Sequence, residues 1–261
     1  MPQVTRITRR DSPVFRRFQA VKARKARGFV LVEGPRLLAE ALRSGLRVEA
    51  VACAGGEPVA WPAGLDPRVE RFTLPPALLK ALTEVETPQG LVAIVERPAP
   101  NEAWLASARF VLLLDGVQDP GNVGTLFRTA EAAGVSGLLL TEGCADPLSA
   151  KVIRASAGAV FRLPYASGLP PSEAPRRLPP GMPLLAATVD PREPSLFEAE
   201  LSLPLALALG SEGQGLSAEV ERAATRRARI PVAREVESLN VGVAAGIAMF
   251  EISRRAGILT R

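Results

Sequence analysis

The stretch that decides the fold lies near the middle of the chain and reads FVLLLDGVQDPGNVGTLFRTAE over residues 110–131. Its first five residues, 110–114, are all apolar, which is typical of a strand buried on both faces. A turn rich in Asp, Pro and Gly follows, and residues 123–133 then have helical spacing of apolar side chains up to Gly134. A buried strand that feeds directly into a helix predicts a parallel α/β sheet, in which ligands bind at the carboxyl ends of the strands.

The remainder of the second half repeats this alternation. The hydrophobic pattern predicts strands at residues 137–140, 184–188 and 205–209 and helices at residues 150–157, 218–226 and 241–255. Residues 167–183 are rich in proline, which predicts an irregular surface loop. We therefore expect an α/β domain with a parallel sheet over residues 109–261.

A smaller α/β domain is predicted for residues 1–98. The hydrophobic pattern predicts a basic amphipathic helix, then a strand, a helix and a strand, and finally a third strand, at residues 12–26, 29–32, 35–45, 48–52 and 91–95. Prolines at positions 98 and 100 mark the end of this domain, and we assign residues 99–108 to a linker.

Composition excludes several classes of protein. The chain of 261 residues is 47% apolar and 23% charged, which is typical of a globular protein. It contains no histidine, which removes serine-histidine and cysteine-histidine catalysis and histidine-based metal sites. Cys53 and Cys144 are too far apart for a CxxC motif, so we expect two buried thiols and no metal. No apolar run is long enough for a membrane span and no signal peptide is evident near Met1, so we expect a cytoplasmic protein without membrane contact.

Positive charge is concentrated in the first 30 residues. Nine basic residues stand there against one acid, Asp11, whereas the whole chain has a net charge of +5. This density indicates a polyanionic partner such as RNA, although a solvated helix face would have the same composition. The predicted RNA-binding residues are Arg9, Arg10, Arg16, Arg17, Lys22, Arg24, Lys25 and Arg27.

Two polar turns that directly follow predicted strands are candidate sites. In the first, Asn122 is the expected N-cap of the helix, and Arg128 and Glu131, three residues apart, are placed to form an ion pair. In the second, residues 210–215 read GSEGQG, and the glycines allow the backbone to approach a ligand closely. The absence of lysine from this loop argues against a phosphate-binding loop and favours a neutral or cationic ligand.

A third polar turn combines Ile230 and Pro231 with Ser238 and Asn240, which precede an apolar helix rich in small residues. Each turn also has a purely structural explanation, namely a helix cap, a surface ion pair or a tight turn. Their order along the chain is more informative than any one of them.

Taken together, the three turns resemble the three motifs of the SpoU (TrmH-type) RNA ribose 2′-O-methyltransferases, which belong to the SPOUT class. The resemblance is carried by DPGNVGT at 119–125 with Arg128, by GSEGQG at 210–215, by Ile230-Pro231 with SLNV at 238–241, and by RASAGA at 154–159. Gly242 departs from the family, which more often has serine there. The first domain resembles the small ribosomal-protein-like RNA-binding domain that many members carry.

The resemblance implies a catalytic domain with a parallel sheet and a deep trefoil knot, which binds S-adenosylmethionine and forms a homodimer through its small-residue last helix. The cofactor-binding residues that it implies are Gly210, Ile230, Leu239, Thr188, Ser211 and Gly213. The catalytic residues that it implies are Arg128, Asn122, Ser238, Asn240 and Glu212.

The implied reaction is methyl transfer from S-adenosylmethionine to a ribose 2′-hydroxyl in RNA. Arg128 acts in it either as the base, with proton loss coupled to a phosphate, or as a group that orients the phosphate and stabilises the alkoxide. Ribosomal RNA, in particular 23S, is favoured over tRNA as the substrate. The alternatives are a tRNA 2′-O-methyltransferase and a non-catalytic RNA-binding ribosome-assembly protein on the same fold. A dinucleotide-dependent oxidoreductase is disfavoured because the glycine fingerprint is absent.

Overall fold

The structure is a computed structural model of the chain, and it describes residues 4–55, 61, 63–99, 101–234 and 238–259. The chain forms two compact units. The first comprises Met1–Ala99 and Leu148–Phe161, and the second comprises Pro100–Pro147 and Arg162–Arg261. Each unit is described by itself.

The described residues form eleven strands and seven α-helices, together with 3-10 turns at Ala103–Ser107, Ala159–Phe161 and Ala174–Arg177. In chain order the strands and helices are β1 (Val4–Arg6), α1 (Pro13–Lys22), β2 (Phe29–Glu33), α2 (Pro35–Arg43), β3 (Val48–Ala54), β4 (Glu70–Leu74), α3 (Pro76–Leu82), β5 (Leu91–Glu96), β6 (Phe110–Asp115), α4 (Pro120–Ala132), β7 (Gly137–Thr141), α5 (Ala150–Ala155), β8 (Tyr165–Leu169), β9 (Leu184–Thr188), β10 (Leu205–Gly210), α6 (Ala218–Ala223), β11 (Arg226–Arg229) and α7 (Val241–Arg255).

The first unit is built on a mixed sheet with the strand order β1-β4-β3-β5-β2. β1, β4 and β3 are parallel, and β5 runs antiparallel to both β3 and β2. α1 buries Phe15, Phe18 and Val21 in the core, and Phe18 meets Phe72 of β4 edge to face at 6.3 Å. The predicted basic amphipathic helix is therefore present, although it ends at Lys22, because the backbone of Arg24 turns into the left-handed region.

The segment Leu148–Phe161 belongs to the first unit, whereas the sequence placed it in the second domain. An ion pair explains part of this difference, since Arg154 of α5 lies 3.4 Å from the carboxylate of Glu33 and 3.7 Å from that of Glu84. Glu33 is buried and accepts a hydrogen bond from the backbone N–H of Glu84. Burial raises the pKa of this Glu33 carboxyl above its ordinary value.

The second unit contains the parallel sheet that the sequence predicted. Its strand order is β11-β9-β10-β6-β7-β8, and every neighbouring pair is parallel. Gly210 at the end of β10 is paired with Asp115 at the end of β6, and Thr188 at the end of β9 is paired with Arg229. The carboxyl ends of these four central and edge strands therefore lie at one edge of the sheet. The predicted α/β fold class with a parallel sheet is confirmed.

Three predicted boundaries in the second half differ from the structure. Strand β8 (Tyr165–Leu169) lies at the sheet edge and includes the first three residues of the loop predicted at 167–183. The predicted helix at 150–157 ends at Ala155. The helix predicted to reach Arg226 ends at Ala223, and residues 226–229 instead form strand β11. Both strands lie at an edge of the described sheet, where one side of the strand is less enclosed, so they do not need the apolar pattern of a central strand.

α7 packs against α4, and its hydroxyl-bearing Ser253 donates a 2.6 Å hydrogen bond to the carbonyl of Ala133. In its last turns Glu251 accepts hydrogen bonds from Arg254 and Arg255, which lower the pKa of the Glu251 carboxyl to about 2. None of the described helices is both long and apolar enough to cross a membrane.

Cys53 is buried and Cys144 is half-buried, and both are free thiols. Burial raises the pKa of Cys53 to about 11 and also raises the pKa of Cys144. Within the part of the chain that the structure describes, no cluster of acidic or thiol side chains has the arrangement of a metal site.

Candidate active site

The site begins at the N-terminus of α4, which lies directly after β6. The N-cap is Asp119, whose carboxylate accepts a 2.9 Å hydrogen bond from the backbone N–H of Asn122. The expectation that Asn122 itself caps the helix was therefore wrong, because Asp119 occupies that position and Pro120 begins the helix. Asn122 lies in the first turn, so its side-chain amide is available for contacts outside the helix.

The carboxylate of Glu212 is hydrogen-bonded to two other predicted catalytic residues, Asn122 and Asn240. Its Oε1 accepts hydrogen bonds from Nδ2 of Asn122 at 3.0 Å and from Nδ2 of Asn240 at 2.7 Å. The backbone N–H of Val241 donates to the same oxygen at 3.3 Å, and Asn240 also donates to Oδ1 of Asn122 at 3.2 Å. We call Asn122, Glu212 and Asn240 the amide-carboxylate cluster. It brings together the three turns that the sequence singled out.

Asn240 has a second function as the N-cap of α7. Its Oδ1 accepts hydrogen bonds from the backbone N–H groups of Gly242 at 3.0 Å and Val243 at 3.3 Å. A Cβ at Gly242 would lie 3.2 Å from this same oxygen and 3.4 Å from Cγ2 of Thr125 on α4. The space is tight for a larger residue, which is consistent with glycine at this departure from the family pattern.

The glycine-rich loop after β10 is closed by its own backbone. Ser211 and Gly215 exchange two backbone hydrogen bonds, of 3.1 and 2.9 Å, and the Oγ of Ser211 accepts a hydrogen bond from the N–H of Gln214. Gly210 has no room for a side chain, since a Cβ there would lie 2.1 Å from the carbonyl carbon of Gly215. At Gly213 a Cβ would meet nothing within 4 Å. Gly210 is thus the position where close backbone approach requires glycine.

Asp115, which was not predicted as a site residue, holds the far end of this loop. Its carboxylate is buried and accepts hydrogen bonds from the backbone N–H of Ser217 at 2.6 Å and from the hydroxyl of Thr141 at 2.8 Å. The available signal was an acidic residue that ends an all-apolar strand, because a buried carboxylate needs donors around it. Asp115 supports the site by positioning the loop between β10 and α6.

Arg128 lies two turns along α4 and is exposed. The expected ion pair between Arg128 and Glu131 is absent. Glu131 instead pairs with Arg162, with distances of 2.6 Å from Nε to Oε1 and 2.8 Å from Nη2 to Oε2. Glu131 therefore forms two hydrogen bonds with Arg162, which is distant in sequence, in place of the local pair that spacing predicted. No hydrogen bond or ion pair joins the Arg128 guanidinium to any other residue that the structure describes.

An apolar cleft of about 450 Å³ lies beside β11 and the start of α7. Its lining includes two of the predicted cofactor-binding residues, Ile230 and Leu239, and the full lining is Phe197, Ile230, Pro231, Val232, Ala233, Arg234, Leu239 and Ile247. Thr188 ends β9, next to β11, and its hydroxyl accepts a 3.1 Å hydrogen bond from the N–H of Asp190. Ser238 is exposed, two residues before the cap of α7.

The basic residues of the first unit divide into engaged and available groups. Lys22 donates to the carbonyls of Ala81 and Thr83 at the end of α3, and Arg17 is paired with Glu49 and Glu70. Arg9 is paired with Asp11, and Arg24 also has a partner. Among the predicted RNA-binding residues, those that are exposed and have no side-chain hydrogen bond or ion pair to another described residue are Arg10, Arg16, Lys25 and Arg27.

Comparison with known protein families places this chain in a known group of enzymes. Residues 109–250 match the SpoU rRNA Methylase family, and residues 14–93 match the MRM3-like substrate binding domain. The first match covers more than half of the chain. The chain belongs to the SpoU rRNA methylase family.

Individual relatives agree with this assignment. The chain is 33% identical to the 23S rRNA (guanosine(2553)-2′-O)-methyltransferase RlmP of Bacillus subtilis, over 91% of this chain and 94% of that protein. The structure is similar to the AdoMet-bound rRNA methyltransferase of Sinorhizobium meliloti, with a TM-score of 0.81, 28% identity and 99% of each chain covered. It is also similar to AviRb of Streptomyces viridochromogenes in complex with AdoMet, with a TM-score of 0.79, 30% identity, and 96% and 100% of the two chains covered.

Membership in the SpoU family confirms the enzyme class predicted from the sequence, an S-adenosylmethionine-dependent RNA 2′-O-ribose methyltransferase. The residues present fit this cofactor. The cleft beside Ile230 and Leu239 is apolar, as the base and thioether portions of the cofactor require, and Gly210 allows the backbone of the loop after β10 to fold closely on itself. The amide-carboxylate cluster lies at the same carboxyl edge of the sheet.

Proposed function

We propose that this SpoU methylase methylates a ribose 2′-hydroxyl of ribosomal RNA, with 23S rRNA as the substrate. The observation that carries the proposal is the amide-carboxylate cluster, which joins the three motifs on one carboxylate. Its member Asn122 lies on the same helix as Arg128, whose guanidinium has no partner among the described residues. Two further findings support ribosomal RNA: the chain includes a substrate-binding unit, and a relative aligned over most of both chains is named for a 23S rRNA ribose.

The amide-carboxylate cluster organises the cleft before substrate arrives. The Glu212 carboxylate is held by donors from α4 and from the start of α7, so the loop after β10 has one fixed position relative to both helices. Gly210, Ile230 and Leu239 then bind the cofactor, and Thr188, Ser211 and Gly213 lie on the same strand ends and loop. When bound there, S-adenosylmethionine would supply the methyl group for the ribose 2′-oxygen, and the hydroxyl proton would pass to water.

Arg128 is the residue that acts on the RNA. A guanidinium with no described protein partner is free to bind a phosphate oxygen, and its charge stabilises negative charge that develops on the ribose oxygen. A free guanidinium keeps its proton in proteins, so we assign Arg128 to orientation and charge stabilisation rather than to proton removal. Ser238, exposed before the cap of α7, supplies a hydroxyl at the edge of the same region.

The first unit binds the RNA through the available basic residues of α1 and its flanking loops. Arg10, Arg16, Lys25 and Arg27 are exposed and lie within 18 positions of one another along the chain. Lys22 and Arg17 are occupied inside the unit, so their contribution to phosphate binding is smaller than the sequence suggested. Low aromatic content, 5% of the chain, favours recognition through charge and RNA shape over base stacking.

We also propose a homodimer formed through α7, with the knotted topology that the family resemblance implies. Val243 is 53% exposed and Phe250 is 42% exposed, and both lie on a helix that otherwise packs against α4. Their spacing of seven residues places them on one face of α7. Light scattering in solution tests this interface, with Phe250→Glu expected to shift the protein toward the monomer.

The decisive experiment is transfer of labelled methyl from S-adenosylmethionine to separated 23S, 16S and transfer RNA that lack native modifications. We expect label in 23S rRNA at one alkali-stable linkage, which identifies a methylated ribose. Arg128→Ala is expected to abolish transfer while S-adenosylmethionine binding, measured by calorimetry, stays within about threefold of the parent. Label in tRNA alone would overturn 23S rRNA as the substrate and favour a tRNA 2′-O-methyltransferase. RNA binding without label in any RNA would support a non-catalytic protein.

A further inference from the structure

The contact between Glu131 and Arg162 has a consequence for Arg128. Glu131 lies three residues after Arg128 on α4, the spacing at which opposite charges on a helix meet. Its carboxylate nevertheless uses both oxygens on the Arg162 guanidinium, at 2.6 and 2.8 Å. The two side chains are 35% and 34% exposed, so the pair is partly shielded from water.

Arg162 is held in place by the segment that carries it. The ring of Tyr165, three residues later, meets Phe127 of α4 edge to face at 5.3 Å and 86°. Leu163 is buried, and the carbonyl of Pro164 accepts a 3.0 Å hydrogen bond from the backbone N–H of Leu138 on β7. The backbone that carries Arg162 is therefore held by the sheet and by an aromatic contact with α4, independently of the ion pair.

A free carboxylate at position 131 would compete with the substrate for Arg128. An ion pair between Glu131 and Arg128 would occupy donor hydrogens that the RNA phosphate or the developing alkoxide needs. The two-bond contact with Arg162 leaves neither oxygen of Glu131 uncompensated. We propose that Arg162 is a positioning residue that keeps Arg128 available by sequestering the carboxylate of Glu131.

A second explanation for the Glu131–Arg162 pair is that it only ties the segment before β8 to α4. A simple tie predicts that losing either partner has the same effect and that losing both is no better. Sequestration predicts that losing Arg162 is harmful, that losing Glu131 is not, and that removing both restores the parent behaviour. The consequence for methyl transfer rests on the proposed function, whereas the state of the Arg128 side chain does not.

The first test measures Arg128 directly, without RNA. Phenylglyoxal labels free arginine side chains, and the labelling rate of Arg128 is followed by peptide mass spectrometry in the parent, Arg162→Met, Glu131→Gln and the double variant. We expect Arg162→Met to slow labelling at least threefold and the double variant to return to the parent rate. The matched control is Arg177→Met, which breaks the ion pair with Glu102 at similar exposure and is expected to leave Arg128 labelling unchanged. Equal labelling of Arg128 in the parent and in Arg162→Met would overturn the proposal.

The second test follows methyl transfer with the same four proteins. Because Glu131 without Arg162 is a part-buried carboxylate lacking a partner, it should hold Arg128 more firmly than an ordinary surface pair does. We expect kcat to fall about five- to twentyfold in Arg162→Met, KM for S-adenosylmethionine to stay unchanged, and the double variant to recover to within about twofold. A double variant as slow as Arg162→Met would contradict sequestration. Failure of the parent protein to methylate any RNA would instead refute the proposed function, and the labelling pattern would still decide the role of Arg162.

Discussion

Gly210→Ala tests whether the glycine-rich loop is built for close backbone approach. The added Cβ would lie 2.1 Å from the carbonyl carbon of Gly215, 2.2 Å from its oxygen and 2.4 Å from the nitrogen of Leu216. Carbon atoms in contact are normally at least about 3.5 Å apart, so the loop must move by about 1.4 Å. All three obstructing atoms belong to the backbone and cannot turn away as a side chain would.

The cost of that movement follows from the contacts that close the loop. It disrupts the two backbone hydrogen bonds between Ser211 and Gly215, worth about 1 kcal/mol each. Overpacking adds about 1–3 kcal/mol. The closed loop therefore becomes unfavourable by about 3–5 kcal/mol. If cofactor binding requires the closed form, a penalty of about 3 kcal/mol corresponds to a loss of roughly 100-fold in affinity.

Calorimetric titration with S-adenosylmethionine measures this loss, and thermal unfolding shows whether the variant is folded at the titration temperature. The matched control is Gly246→Ala on α7, where the new Cβ would make an ordinary 3.7 Å contact with Thr129. That change is expected to leave the Kd unchanged and to raise helix stability by about 0.5–1 kcal/mol. A folded Gly210→Ala protein with a Kd within threefold of the parent would refute the assignment of this backbone to the cofactor site.

Three further outcomes are expected. Asn240→Asp should retain the cap of α7 and the Tm but place a second carboxylate beside Glu212, so cofactor affinity and methyl transfer should fall at least tenfold; equal activity would contradict the role of the cluster. Lys22→Met should lower the free energy of unfolding by about 1–2 kcal/mol with little effect on RNA binding. Arg16→Gln should instead weaken RNA binding with little effect on the free energy of unfolding, and should reduce the salt dependence of RNA binding by about 0.7–0.9 log units per log unit of salt. Glu251→Gln should lower the free energy of unfolding by up to about 1 kcal/mol at pH 7. Because the pKa of Glu251 is depressed in the folded protein, the difference between variant and parent should shrink as pH falls from 4.5 toward 2. Thermal unfolding across that pH range measures this difference.

Hydrophobic periodicity was sufficient to predict the central strands and the longest helix. The segments β6, β9, β10 and α7 appear within one or two residues of their predicted bounds, because their apolar side chains are buried on the faces that the pattern implies. Strand β11 could not be predicted in this way. It reads RRAR, and its arginines are accommodated at the sheet edge by acidic side chains and carbonyl groups, such as Glu221 beside Arg227. β4 and α3 were missed between the short strands of the first unit.

Some features of the candidate site were likewise visible in the sequence and others were not. Residue types and order singled out Asn122, Glu212 and Asn240 as candidates, because polar side chains in a loop or at a helix start are visible in one sequence. Their catalytic roles were implied only by the family resemblance and stay predictions. The partner of Glu131 was not visible, since spacing along a helix reveals only neighbours three or four residues away. The true partner, Arg162, is 31 positions distant in the chain and lies on the segment that leads into β8, which pairs with β7.

Two carboxylates fix the loop after β10, one near its start and one at its far end. Asp115 of β6 holds the N–H of Ser217 at its far end, while Glu212 within the loop is held by amides from α4 and α7. A segment with three glycines in six residues would otherwise lose much conformational freedom each time it bound a ligand. Because these hydrogen bonds form when the chain folds, the ordering is complete before cofactor or RNA arrives. Binding energy is then available for aligning the ribose oxygen with the methyl group, which is where positioning has its largest effect on rate.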